Sequence, residues 1–332
     1  ISGRLIVQYE GRRKIQKAVS GTNIILNLSI LGVFKYYNFF AENFAVLFRN
    51  IGWQVDWVTL DILLPVGISF YTFQALSYSI DVYQKKLPVC KDIIAFFAYI
   101  SFFPQLVAGP IERATNLLPQ FYKSRTFDYA QAVDGCRQML WGFFKKIVVA
   151  DNCAEAANVI WGDYSNQSGF TLLLGGFFFT FQIYGDFSGY SDIAIGTARL
   201  FGINLMRNFN FPYFSRDIAE FWRRWHISLT TWFRDYIYIP LGGSRCVRWK
   251  VMRNTLIIFL VSGFWHGANW TFITWGAYHA LLFFPLMLWG KNRKYTNSVA
   301  AGRFLPSVKE FGQMLFTFLL ALIGWIIFRA EI

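Results

Sequence analysis

Residues 261–279 read VSGFWHGANWTFITWGAYH and place His266 inside the longest uncharged run of the chain, residues 255–290. An ionisable side chain at membrane depth is costly, and it is usually retained for a function. We therefore expect His266 to line a cavity rather than to face lipid.

The length of this run predicts a break. As one helix its 36 residues would extend about 54 Å, against a hydrocarbon core of roughly 30 Å. Two full spans and a turn would need slightly more residues than the run provides. A broken or strongly tilted element fits better, with Gly263, Gly267 and Asn269 as the natural break points, since irregular backbone at that depth is tolerated where protein or a water-filled cavity covers it.

The composition is that of a polytopic membrane protein. Of the 332 residues 55% are hydrophobic and 15% are charged, whereas soluble domains carry about 25% charged residues. Uncharged runs predict spans at residues 18–34, 62–80, 164–185 and 311–328. Residues 41–61 read as a loop with an interfacial piece, residues 93–111 as a span with an irregular second half around Pro104 and Pro110, and residues 123–163 as an interfacial helix or one that snorkels its lysines.

The net charge of +13 is explained by cytoplasmic lysines and arginines. These residues are scattered over many short loops, so we expect no nucleic-acid partner. The first 20 residues do not resemble a signal peptide. The cysteines, Cys90, Cys136, Cys153 and Cys246, form no C-x-x-C pair and no zinc-like cluster with histidine, so neither a metal site nor redox chemistry is predicted.

A second polar element within apolar surroundings is the stretch EFWRRWHISLTTWFRD at residues 220–235. Its period predicts one basic amphipathic helix with His226 at the border of the buried stripe. The members of the stripe are Trp222, Trp225, Leu229, Trp232 and Phe233. Such a stripe is more often packing than a platform for an acyl chain or sugar.

Histidine is the side chain best suited to proton transfer near neutral pH. Two of the three histidines, His226 and His266, occupy apolar surroundings, 40 residues apart, and each is either a packed side chain or a catalytic group. Asp186 and Asp192 are either proton-relay carboxylates, as in transporters, or groups that orient helix ends. The chain contains neither a G-x-S-x-G nucleophile motif nor a phosphate-binding P-loop. The residues alone thus permit proton-transfer catalysis or proton-coupled transport.

Specific stretches resemble the membrane-bound O-acyltransferase family. They are FWRRWHISLTTWFRDYIYIPLGG at 221–243, SGFWHGANWTFITWGAYHA at 262–280, YGDFSGYSDIAIG at 184–196 and NFNFPYFSRDIAEFW at 208–222. The resemblance runs from about residue 28 to the end of the sequence and is strongest to the bacterial branch of alginate O-acetyltransferases and teichoic-acid D-alanyl transferases.

The resemblance implies an all-α polytopic integral membrane protein: a ring of tilted transmembrane helices, with re-entrant and interfacial helices, around a central tunnel. Residues 1–332 would form one such domain, truncated at both ends. It implies O-acetyl transfer across the bacterial inner membrane, from a cytoplasmic thioester such as acetyl-CoA to an extracytoplasmic polysaccharide such as alginate. Periplasmic or extracellular acetylation proteins are the implied partners beside membrane lipid, and no bound cofactor is implied.

The resemblance also assigns roles to residues. The family's essential histidine corresponds to His266, which we expect to act as the general base, and its second signature histidine to His226, which would orient the donor or assist proton transfer. Asn269, Ser262 or the backbone N–H of Gly267 is our candidate for stabilising the oxyanion. Arg223 and Arg224, with Arg234, would attract an anionic donor. The remaining candidate substrate-binding residues are Asp186, Ser188 and Trp265.

Overall fold

The computed structural model describes residues 1–53, 59–61, 63 and 65–330. These residues form helices and connecting segments without a β-strand. The all-α prediction is confirmed for this part of the chain. The described residues group into two compact units.

The first unit comprises Ile1–Arg125 and Gly267–Asn269. Its helices are α1 (Ser2–Gln8), α2 (Arg13–Asn50), α3 (Ile68–Tyr83), α4 (Ile93–Ile100) and α5 (Ala114–Phe121). The predicted span at 18–34 lies within α2, which also continues through residues 41–50, where a loop was predicted. Residues 54–58, 62 and 64, which belong to the predicted loop and to the run at 62–80, lie outside the described residues. The irregular second half of residues 93–111 is confirmed, because α4 ends at Ile100.

The second unit comprises Thr126–His266 and Trp270–Ile332. Its helices are α6 (Tyr129–Phe143), α7 (Asp151–Gly162), α8 (Gly169–Leu200), α9 (Ile218–Arg224), α10 (Ile227–Phe233), α11 (Arg248–His266), α12 (Trp270–Leu288) and α13 (Val308–Arg329). A π-helical segment, Phe144–Ala150, joins α6 to α7. A second π-helical segment, Arg234–Tyr238, follows α10.

Four described helices, α2, α8, α12 and α13, are long and apolar enough to cross a membrane. Each contains or overlaps one of the uncharged runs noted in the sequence. The prediction of a multi-pass membrane protein is therefore confirmed at the level of helix length and composition.

Helices α6 and α8 pack along each other through glycine. A Cβ on Gly142 would lie 2.7 Å from the carbonyl oxygen of Gly189, and a Cβ on Gly189 would lie 2.8 Å from that of Gly142. Small residues that let two backbones approach closely are typical of helix pairs in membranes. This contact holds the π-helical segment with Lys145 and Lys146 against α8. The Lys145 side chain is 12% exposed there and pairs with Asp192 of α8.

The run at 255–290 is broken, as its length predicts. Helix α11 ends at His266 and α12 begins at Trp270, and each helix has 19 residues. Helix α11 reaches this length because it starts in the basic segment before the run. The break falls at residues 267–269, where two of the three proposed positions lie. Gly263 is not a break: a side chain there would collide with the carbonyl of Phe272, so this glycine allows α11 and α12 to pack closely.

The single helix predicted for residues 220–235 is wrong. The structure contains two short helices, α9 and α10, separated at Trp225 and His226. His226 adopts a left-handed conformation with φ of 44°, which an α-helix does not accommodate. The predicted burial of the aromatic stripe is nevertheless confirmed, since every member is at most 8% exposed.

Two members of the stripe belong to one aromatic core of the second unit. Trp222 and Trp225 from α9 and the residue after it pack with Trp275 of α12 and Trp325 of α13. The ring centroids of Trp225 and Trp325 lie 4.7 Å apart, and those of Trp222 and Trp275 lie 5.5 Å apart. The three histidines of the chain each contact a ring of this core.

Candidate functional site

His226 is buried at the junction of α9 and α10. Only 2% of the residue is exposed, and its ring centroid lies 4.6 Å from that of Phe187. The imidazole caps α10: Nδ1 accepts a hydrogen bond from the backbone N–H of Leu229 at 3.3 Å. In a neutral imidazole only one nitrogen carries hydrogen, so this bond assigns the hydrogen to Nε2.

Asn208 fixes the junction, and sequence reasoning did not single it out. Its side-chain oxygen accepts from the N–H of Ser228 at 3.3 Å and from the hydroxyl of Ser228 at 2.9 Å. Its backbone oxygen accepts from the N–H of Ile227 at 2.9 Å, and its amide donates to Ser191 at 3.2 Å. Asn208 thus satisfies the first amide groups of α10 and connects this end of α10 to α8. The only signal in the sequence was its place in a motif stretch, NFNFPYF.

His266 ends α11 and is half-buried among aromatic rings. The ring centroids of Trp265, Trp275 and Phe328 lie 4.9, 5.3 and 5.2 Å from that of His266. The backbone leaves the helix directly after this residue, so the imidazole lies at the end of α11. The expectation that His266 lines a cavity rather than faces lipid stays a prediction.

Trp265 connects the two predicted histidines. Its ring centroid lies 6.2 Å from that of His226 and 4.9 Å from that of His266. Both imidazoles therefore lie against the same indole ring. The fold therefore brings together two groups that are 40 residues apart in the sequence, although they lie on different elements.

His279, the third histidine, also lies in apolar surroundings, which sequence reasoning did not recognise. It is 1% exposed and lies in the aromatic core between Trp222 and Trp275, with centroid distances of 5.0 Å to each. The Nε1–H of Trp222 donates to Nδ1 of His279 at 3.3 Å. The other nitrogen packs against Gly324 of α13, where an added Cβ would lie 2.7 Å away. His279 therefore joins α9, α12 and α13.

A cavity of about 1020 Å³ lies near His226, although neither His226 nor His266 is part of its wall. Its wall is mostly aromatic and aliphatic, and Ser188, Asn208 and Phe209 are part of it. Phe209 also packs on His226, with ring centroids 6.5 Å apart. The basic residues of the wall are Arg137, Lys145, Arg199 and Arg207.

The acidic candidates contact lysines of the π-helical segment. Asp192 pairs with Lys145, and it also accepts a hydrogen bond from Gln138 at 2.8 Å. Asp186 pairs with Lys146 at 2.6 Å and is not part of the cavity wall. These contacts favour the interpretation in which the two carboxylates orient neighbouring helical segments. Ser188 and Asp192 are both part of the cavity wall.

The two candidate arginines of α9 bind protein groups. Arg223 donates to the backbone oxygens of Asn292 at 2.8 Å and Tyr295 at 2.6 Å, and Arg224 pairs with Glu220 at 2.6 Å. Glu220 also pairs with Arg216 at 2.9 Å. A role for Arg223 and Arg224 in donor binding stays a prediction, and so do the roles of Asp186, Ser188 and Trp265. Asn269 groups with the first unit, and its role also stays a prediction.

Within the described part of the chain, no group of three or more histidine, cysteine, aspartate or glutamate side chains is arranged to hold a metal ion. The groups that the fold does bring together are two imidazoles and a tryptophan. Their chemistry is hydrogen bonding and proton transfer.

Comparison with known proteins identifies a family. The family model for membrane-bound O-acyltransferases matches residues 90–323. A probable alginate O-acetylase of Azotobacter vinelandii is 42% identical over 308 residues, which cover 93% of this chain and 59% of that protein.

More distant relatives carry related descriptions. The peptidoglycan O-acetyltransferase of Helicobacter pylori is 36% identical, over 93% of this chain and 61% of that protein. The teichoic acid D-alanyltransferase of Bacillus subtilis is 30% identical, over 69% of this chain and 61% of that protein. The chain therefore spans less than two thirds of the length of these curated relatives.

Proposed function

Since the chain belongs to the membrane-bound O-acyltransferase family, we propose that it transfers an acetyl group from a cytoplasmic thioester to hydroxyls of an extracytoplasmic polysaccharide. The observation that carries the proposal is that His226 and His266 both lie against Trp265, with ring centroids 6.2 and 4.9 Å away. A half-buried imidazole at the end of a broken apolar helix, with a buried one nearby, is suited to moving one proton in a water-poor site.

His266 acts as the general base in this proposal. A thioester is already activated, so the difficult step is to make the attacking hydroxyl nucleophilic. The half-buried imidazole of His266 accepts the proton of that hydroxyl as the new carbon–oxygen bond forms. The same proton then passes to the departing thiolate, which leaves the imidazole neutral for the next cycle.

The cavity beside His226 is the proposed donor site. An acyl thioester such as acetyl-CoA combines a short acyl group with anionic phosphates. The aromatic wall near Phe209 suits the acyl end, and the cations Arg137 and Arg207 suit the phosphates. This site adds to, and does not exclude, a contribution from Arg223 and Arg224.

The acceptor follows from what the relatives are named for. Alginate and peptidoglycan are both polymers of sugars with free hydroxyls, so we propose a polysaccharide of that kind outside the bacterial inner membrane. Acetylation proteins outside the membrane would receive or pass on the acetyl group. No specific observation favours proton-coupled transport, since Asp186 and Asp192 both contact lysines.

The test is polymer-bound acetate in cells whose only copy of the gene encodes His266→Ala or His266→Gln. We expect both variants to accumulate in the membrane at the wild-type level and to leave the polymer without acetate. Glutamine matters as the second variant because it fills most of the volume of imidazole without serving as a base. Normal acetylation by either variant at normal protein level would remove His266 from the chemistry.

A further inference from the structure

The Nε2 nitrogen of His226 makes no hydrogen bond that stabilises the described part of the fold. Nδ1 caps α10, but Nε2 has no hydrogen-bond partner among the residues that the structure describes. The side chain is almost completely buried, with 2% of the residue exposed. A buried polar group without a partner is costly, and native proteins retain few of them without a reason.

The sequence retains a histidine here although other residues suit the backbone better. Asparagine, aspartate, serine and threonine are the preferred helix N-caps. A left-handed φ, 44° at His226, is also most readily adopted by glycine or asparagine. Backbone strain of this kind clusters at functional sites. Asparagine would satisfy both the cap and the backbone, so the feature that only histidine adds is the second ring nitrogen.

The capping bond also decides what that nitrogen can do. Because Nδ1 accepts the N–H of Leu229, Nε2 of the neutral ring carries the hydrogen and has no lone pair to receive another proton. Its burial among aromatic rings disfavours the charged imidazolium. His226 is therefore a hydrogen-bond donor whose hydrogen is held in place by the backbone of α10.

We propose that the Nε2–H of His226 donates to the acyl carbonyl oxygen of the donor and stabilises the oxyanion, while His266 alone moves the proton. This inference rests on the proposed function. The acceptor oxygen attacks the thioester carbonyl carbon, and the carbonyl π pair moves to oxygen as the hydroxyl proton passes to His266. The oxyanion then collapses, the carbon–sulfur bond breaks, and the thiolate leaves with that pair and takes the proton from His266. His226 neither gains nor loses a proton.

The surroundings of His226 support this assignment. Phe187 covers one side of the ring at 4.6 Å between centroids, and Phe209 connects it to the cavity wall. Trp265 of α11 lies 6.2 Å from it between ring centroids. A donor fixed in a buried aromatic site stabilises developing negative charge more strongly than it would in water.

The experiment compares two amide variants. His226→Asn keeps an acceptor near Nδ1 and suits the left-handed backbone, but it has no group at the position of Nε2. His226→Gln extends an amide N–H towards that position and cannot act as a base, but it fits the backbone less well. The readout is the initial rate of acetyl transfer in membrane vesicles that contain the whole protein, with labelled acetyl-CoA as the probe, together with the unfolding midpoint of each variant.

The proposal predicts opposite orders for stability and turnover. His226→Asn should be at least as stable as His226→Gln, yet its turnover should fall by about 100- to 1000-fold, the loss typical of one oxyanion donor. His226→Gln should retain clearly more turnover, with KM for acetyl-CoA little changed in both. If turnover instead follows stability, His226 is only a helix cap. If both variants are folded and equally inactive, His226 transfers a proton, and the proposal is overturned.

Nitrogen-15 NMR of histidine-labelled His266→Ala protein gives a second test that needs no change at His226. Two neutral imidazoles with hydrogen on Nε2, those of His226 and His279, should remain. Addition of acetyl-CoA should move the signal of one imidazole only, because His279 is enclosed by the core. A charged ring, hydrogen on Nδ1 of either ring, or no response to acetyl-CoA would contradict the inference. Absence of transfer by the wild type would instead count against the proposed function, so the two failures are distinguishable.

Discussion

His226 and His279 use the same device at the scale of single residues. In each, Nδ1 accepts an N–H bond that fixes the hydrogen on Nε2. Their neighbours differ: His226 packs on Phe209 of the cavity wall, whereas His279 meets Gly324 in the core. The two rings therefore have the same hydrogen-bonding state, but we assign His226 to the candidate site and His279 to the packing of the core.

The packing role of His279 predicts the effect of Gly324→Ala. The new methyl group would lie 2.7 Å from Nε2 of His279, and both residues are buried, so the overpacking should cost about 1–3 kcal/mol. The matched control is Gly312→Ala on the same helix, where nothing lies within 4 Å. Because alanine favours a helix over glycine by about 1 kcal/mol, the control should unfold at an equal or higher temperature. Equal midpoints for both variants would contradict this role.

The sequence could predict features that are patterns within one element, but not contacts between different elements. The apolar run marked His266, and the periodicity marked the stripe beside His226, because both are patterns of nearest neighbours in one element. Asn208 and His279 were missed because their roles come from partners on other elements, Ser228 and Trp222. These partners are 20 residues apart for Asn208 and Ser228 and 57 residues apart for His279 and Trp222. The sequence around a single polar residue does not indicate a contact over such a separation.

At the scale of elements, the helical periodicity of residues 220–235 did not predict the junction between α9 and α10. The stripe continues in phase from Trp222 to Phe233, so it favours one helix, and burial of the stripe is indeed observed. The break needs only one residue in a left-handed conformation, and His226 is not a residue from which sequence patterns predict one. Asn208 compensates the break by accepting the first amides of α10.

Asn208→Ala should therefore destabilise the junction. It removes the oxygen that accepts from the N–H and the hydroxyl of Ser228, and a hydrogen bond of this kind contributes about 0.5–1.5 kcal/mol. Turnover should fall as well, because the cap that aims His226 depends on this junction. The control is Asn152→Ala, whose exposed amide donates to the carbonyl of Val148 and which should change stability by less than about 0.5 kcal/mol. Equal unfolding midpoints for the two variants would show that the junction holds without Asn208.

At the scale of the second unit, a buried charge cluster connects distant parts of the chain. Glu220 of α9 pairs with Arg216 and Arg224, and Arg216 also contacts Glu310 of α13 at 3.4 Å and the oxygens of Asn297. Arg216 lies 4.5 Å from the ring centroid of Tyr295. The side chains of Arg216 and Glu220 are 3% and 2% exposed, so these charges are shielded from water and depend on one another.

Glu220→Gln should be strongly destabilising for that reason. Two arginines would lose their shared carboxylate, and breaking a buried pair typically costs about 3–5 kcal/mol. Glu10→Gln is the matched control, because the same change removes a pair with Lys85 in which the side chains are 62% and 71% exposed. Exposed pairs contribute about 1 kcal/mol or less. The measurement is thermal unfolding of both variants in detergent, and a comparable shift for the two would refute the role of the cluster.

The distribution of charge over the whole molecule leads to the last prediction. The net charge of +13 attracts anions broadly, whereas the cavity should attract its donor through particular cations in the wall. Arg137→Gln removes one of these cations and should raise KM for acetyl-CoA by about tenfold, since a hydrogen bond to a charged group contributes about 1.5–3 kcal/mol. Turnover at saturation should stay the same, because binding remote from the reacting carbonyl is lost equally from ground and transition state.

Arg245→Gln is the control that separates attraction of acetyl-CoA by a cation in the cavity wall from attraction by the net charge of the protein. Arg245 is exposed and lies outside the cavity wall, so the change in net charge is identical while the wall is intact. Arg137→Lys should recover part of the affinity because it restores the charge without the planar donor fork of arginine. If Arg137→Gln and Arg245→Gln raise KM equally, the donor responds only to the overall charge. The phosphates would then bind elsewhere, and Arg223 and Arg224 would be the first residues to test.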